Sequence, residues 1–159
     1  MLDKYRDHAP ADKPIIVTSR IMAATAERIF AAYSDAETIG LWWGPDGFRT
    51  TTTRRDFRVG GEWLYTMHGP DGTDYPNYSV FREIEPNSRI VYDHGTAPDQ
   101  PFMFTGAILF EPVSSGTKVT ILLTFAGTEL RDEVVMKYGA VEGGIQHLAR
   151  LDSYITSQP

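Results

Sequence analysis

Cysteine is absent from the 159 residues, so no disulfide framework, thiolate metal site or cysteine nucleophile is open to this chain. Basic charge is scarce as well: 15 Lys and Arg stand against 21 Asp and Glu, a formal net charge of -6. That balance repels phosphate backbones and anionic lipid surfaces, which argues against nucleic-acid and membrane partners. No apolar run approaches the ~20 residues of a membrane span. Met1 to Lys13 lacks the apolar segment of a signal peptide. Internal repeats, low-complexity tracts and a nucleophile-elbow serine are likewise missing. The expectation is a cytoplasmic domain that needs no metal and no cofactor.

What is present is an ordinary globular composition, 42% hydrophobic and 23% charged. A chain of this length buries about 70% of its unfolded surface, enough for one unstapled core. Residues 1–13 read as a mobile polar tail and residues 14–157 as the domain. Ile15 to Ile21 is rich in β-branched residues and predicts a strand. Thr25 is placed to cap a short helix through Tyr33, and Ser34 or Asp35 a second one ending near Leu41. Strands follow at Thr50–Phe57, Glu62–His68, Tyr75–Ile84, Arg89–His94, Phe102–Phe110 and Lys118–Phe125. The short turns between them predict an antiparallel meander. From Leu130 onward, Val134, Tyr138, Val141, Ile145, Leu148, Leu151 or Asp152, and Ile155 recur at steps of three and four. The spacing predicts one amphipathic helix of roughly 39 Å. The fold class is α+β: a curved antiparallel sheet wrapped around a long C-terminal helix, with a cavity between the two.

Alternation supplies the candidate lining. Trp63, Tyr65 and Met67 share one strand face, Tyr92 and His94 another, and Phe104 a third. Tyr78 and Arg82 are placed inward if their strand keeps that parity, which Phe81 leaves open. An inward Arg82 would meet a ligand carboxylate, an outward one a neighbouring acid such as Glu62 or Glu83. Trp43 and Phe48, on the loop after the short helices, and Tyr138 and Ile145, on the last helix, complete the set. Aromatics at these positions serve equally as plain core or as the wall of an apolar pocket. His94 is a candidate for orienting a ligand or moving a proton, with Tyr65 and Tyr92 beside it, or is a hydrogen-bonded rim histidine. His68 and His94 fall on opposite faces, so they do not share a metal. His147 falls off the apolar stripe of its helix.

Five segments carry a resemblance: Ala23–Tyr33; Leu41-Trp42-Trp43-Gly44-Pro45; Val59-Gly60-Gly61-Glu62-Trp63; Met67-His68-Gly69-Pro70-Asp71-Gly72; and Glu142-Gly143-Gly144-Ile145. Together they are similar to the helix-grip fold of the START-like (SRPBCC) superfamily, in the branch named for the activator of the heat-shock-protein-90 ATPase. The resemblance implies a small-molecule cavity between sheet and last helix, since many relatives bind lipids, steroids or polyketides there. Cyclase and aldolase-like relatives keep an enzyme reading open. The branch usually has a tryptophan after the helix glycine; Ile145 here implies extra space beneath the helix. The eukaryotic co-chaperone has an N-terminal chaperone-contacting domain without a counterpart in this sequence, so the resemblance implies fold more than chaperone activation. A protein-interaction role remains the alternative, as a homodimer or in contact with a chaperone, with Trp42-Trp43 as the anchor if exposed.

Overall fold

The computed structural model describes residues 2–158. Seven strands, β1 (Ile15–Met22), β2 (Arg49–Arg55), β3 (Glu62–His68), β4 (Asp74–Glu85), β5 (Arg89–Gly95), β6 (Phe104–Val113) and β7 (Gly116–Thr124), form one sheet. Its order is β1-β7-β6-β5-β4-β3-β2, antiparallel throughout. Helix α1 (Ala26–Ser34) follows β1, and α2 (Thr128–Tyr138) and α3 (Ala140–Ser157) follow β7. Thr25 caps α1 as expected, its hydroxyl accepting from the Arg28 amide. The second short helix is a single 3-10 turn, Ile39–Leu41.

Two register shifts bend the sheet, between Thr52 and Arg54 in β2 and between Phe81 and Glu83 in β4. The inner faces of β3, β5, β6 and β7 carry the expected residues: Trp63 and Tyr65, Ile90 and Tyr92, Ile108 and Phe110, Val119. Together with Ile29 and Tyr33 of α1 and Leu148, Leu151 and Ile155 of α3, they make the main core.

Three expectations are corrected. The terminal helix is not one rod but two, because Gly139 adopts φ 60 and ends α2 while starting α3. α3, about 27 Å long at 1.5 Å per residue, lies against the main core, while α2 packs on β1 through Val134 and Val135. The apolar spacing carries across the break, which is why it reads as continuous. Secondly, β4 has the opposite parity: Ser79 pairs with Trp63 and His94, and Phe81 with Tyr92, so these face inward and Tyr78, Val80 and Arg82 face out. Thirdly, the N-terminal segment is docked rather than free. Ala9 is 1% exposed and joins Ile16, Phe125, Val134, Val135 and Val141 in a second, smaller core. His8 Nδ1 lies 2.9 Å from the Val17 carbonyl.

Candidate functional site

The inner faces of β3, β4 and β5 converge with α1 and the 42–48 loop on an aromatic chamber. Tyr33, Trp43, Arg55, Phe57, Trp63, Ser79, Phe81, Ile90, Tyr92 and Ile108 border its central void. That void is about 10 Å³, the size of one water. The roomy cavity expected under Ile145 is therefore not there. Ile145 is 45% exposed, and Gly144 instead turns toward β1, where a Cβ would come within 2.8 Å of Thr18 Oγ1. The helix thus settles closer to the sheet. Trp43, half-buried, closes one side, edge-on to Trp63 at 4.7 Å and to His147 at 4.7 Å. Tyr65 stacks on Trp63 at 3.9 Å.

One cation stands in this wall. Arg55 pairs with Trp63 across β2 and β3, and its Cζ sits 4.8 Å over Trp63, 4.9 Å over Phe57 and 5.5 Å over Phe81. Nη2 donates to the Tyr33 carbonyl at 2.5 Å. Nε and Nη1 are buried without a hydrogen-bond partner. Burial pulls its pKa down to about 10, with Tyr65 and Asp35 opposing, so the guanidinium remains charged at neutral pH.

The 42–48 loop carries Trp43 and is tied to α3 by side chains. Arg150 Nη1 donates to the carbonyls of Trp43, Gly44 and Pro45 at 3.2, 3.0 and 2.8 Å. Its Nη2 donates to those of Leu41 and Phe48 at 3.2 and 3.1 Å. The Gly44 amide donates to His147 Nδ1, and the Asp46 amide to Gln146 Oε1, both at 3.1 Å. With Nδ1 accepting, the His147 proton is on Nε2, 3.2 Å from the Tyr33 hydroxyl. Burial, helped by the Arg150 charge, lowers the His147 pKa to about 3.

Ser79 Oγ and His94 Nδ1 hydrogen-bond at 2.8 Å on neighbouring strands, and His94 stacks on Phe104 at 4.9 Å. Burial lowers the His94 pKa to about 4 and raises those of Tyr65, Tyr92 and Tyr33. The lining of the void is accordingly neutral apart from Arg55. Among the described residues no group of three or more His, Asp or Glu converges, and no helix is long and apolar enough to cross a membrane.

Of the residues singled out in the sequence, Trp43, Trp63 and Tyr92 border the void. Tyr65, Met67, His94 and Phe104 pack around it in the same core. The others lie elsewhere. Phe48 packs on Tyr75 at the β3–β4 hairpin. Tyr78 is on the outer face, its hydroxyl donating to Glu62 and its ring stacked on Phe102. Arg82 is also outside, bonded to Asp93 at 2.8 Å, which is neither acid expected for it. Tyr138 is 53% exposed at the end of α2. Trp42 is 1% exposed and is no surface anchor. Arg55, Ser79 and Arg150 carry no site signal in the apolar spacing, and His147, expected off the apolar stripe, is buried on it. The register shift in β2 turns Arg55 inward, and Trp63 directly opposite is its one sequence signal.

The model for the activator of Hsp90 ATPase homolog 1-like protein family matches residues 23–156. Among curated proteins none matches. A solved protein of Mycobacterium smegmatis is 27% identical, with TM-score 0.84 over 92% of this chain and 94% of that one. One from Arthrobacter aurescens is 25% identical, with TM-score 0.83 over 93% and 89%. A third, from Nitrosomonas europaea, shares the fold at 23% identity, with TM-score 0.81 over 91% and 96%.

Proposed function

From its membership of the activator of Hsp90 ATPase homolog 1-like family, to which this chain belongs, we propose that the protein binds a compact apolar or aromatic small molecule between its sheet and α3. The observation that carries this reading is the placement of Trp43. Its indole is half-buried in the wall of the aromatic chamber and belongs to a loop, not to a strand or helix. The ties from α3 to that loop that Arg150, His147 and Gln146 supply are polar. Water can take over such bonds, so each costs only about 0.5–1.5 kcal/mol net to release. Swinging the loop out vacates an indole-sized space walled by Tyr33, Trp63 and Tyr65. Burying about 200 Å² of guest there returns roughly 5 kcal/mol before association costs.

Thermal melting against a panel of small aromatic and aliphatic compounds tests the reading. A ligand present at about 100 times its Kd stabilises by ~2.7 kcal/mol, a rise of about 5–10 °C for a domain of this size. A panel spanning these classes that leaves the melting temperature unmoved contradicts it.

A further inference from the structure

We infer that the guest carries an anionic head, a carboxylate or sulfonate on an aryl or alkyl body, received by Arg55; this rests on the small-molecule reading above. Of the acids near Arg55, Asp35 opposes the fall in its pKa from beyond ion-pair range, and Glu62 and Asp56 are committed to its neighbours. Arg54 pairs with Glu62 at 3.0 Å and Arg58 with Asp56 at 2.6 Å. Among the described residues Arg55 has no carboxylate in ion-pair range and one hydrogen bond, to the Tyr33 carbonyl. Two of its nitrogens are buried and unpaired while its side chain borders the void.

A buried guanidinium cannot escape its charge by losing a proton at neutral pH. The rings of Trp63, Phe57 and Phe81 supply cation–π attraction, but they accept no N–H in the plane of the guanidinium. A neutral apolar guest would leave both nitrogens desolvated and unmet, which is costly. An oxyanion meets them with charge-assisted bonds in a water-poor, ring-lined space, where the attraction is least screened. The single cation suits a monoanion. Ser79 and Tyr92, the other polar side chains of β4 and β5 on the void, are hydroxyl-bearing and add no opposing charge.

A matched pair of fluorescent probes decides this: naphthalene and 1-naphthalenesulfonate, one bicyclic aryl body near the size of an indole, with and without the anion. The expected result is at least tenfold tighter binding of the sulfonate. That preference should fall below threefold in Arg55→Gln and survive in Arg58→Gln, an exposed control. Equal affinity for the two probes, or a preference unchanged in Arg55→Gln, overturns the anionic head while leaving small-molecule binding intact. Binding of neither probe overturns the binding reading itself. Should Arg55→Gln not fold, the wild-type protein at 0.1 and about 1 M salt replaces it. A buried pair is weakly screened, so a retained preference supports the inference and a collapse to equal affinity, the mark of a surface site, overturns it.

Discussion

Gly44 gives its amide proton to Nδ1 of His147, 3.1 Å away, and this bond makes the loop beside the chamber sensitive to the charge state of a buried ring. A protonated imidazole has no acceptor to offer. Both His147 and His94 are held well below the ordinary 6.5, to about 3 and about 4, by burial. Above pH 6.5 the folded and unfolded chains are both neutral at these rings, and the contribution is complete. As pH falls below 6.5, the unfolded chain takes up protons that the folded one refuses, and stability drops until the folded values are reached.

Urea unfolding should therefore lose roughly 3 kcal/mol between pH 6.5 and 5, at up to ~1.4 kcal/mol per pH unit for each ring. His147→Gln should halve that loss. A stability unchanged over this window contradicts the burial of the two neutral imidazoles.

Arg150 is the strongest tie between α3 and the Trp43 loop, with five carbonyls on one guanidinium. Arg150→Met should cost about 1–3 kcal/mol and act locally. Amide hydrogen exchange of residues 42–48 should accelerate at least tenfold, with β5 and β6 unchanged. Uniform acceleration across the sheet would mean that the loop has no independent opening.

Gly106 is set by its neighbour rather than by its backbone. A Cβ there would lie 2.3 Å from Cζ of Tyr92 and 2.5 Å from its hydroxyl, because the two residues pair across β5 and β6. Gly106→Ala should destabilise by about 1–3 kcal/mol through overpacking. In a Tyr92→Leu background most of that cost should vanish, a coupling a double-mutant cycle measures. Additive costs would contradict the contact.

Much of this architecture was readable in advance, and the misses have local causes. β3 runs over Glu62–His68 as alternation places it, and Trp63 and Tyr65 face the core because a strand between two partners has only two faces to offer. β4 escaped because the irregularity between Phe81 and Glu83 resets its parity midway, so the outward Tyr78 and the inward Ile84 cannot both fit one alternation. The rod at the C-terminus escaped because a single left-handed glycine breaks a helix without disturbing its apolar spacing. In α3 the buried stripe runs through Val141, His147, Leu148 and Leu151 rather than Ile145; a polar ring can occupy that stripe because the Gly44 amide and the Tyr33 hydroxyl meet both its nitrogens. The site's charge escaped because Arg55 sits in a run of threonines and arginines whose exposure alternation alone assigns wrongly past the shift at Thr52.

The central claim, that a guest replaces Trp43 in the chamber, is tested most directly by the indole N–H signals of the three tryptophans in a ¹⁵N spectrum titrated with the naphthalene sulfonate. The account predicts saturable shifts at Trp43 and at Trp63, whose Nε1 donates to Thr52 at 3.0 Å, together with the amides of residues 42–48. Shifts confined to surface residues, with the Trp43 and Trp63 signals stationary at saturation, would contradict it.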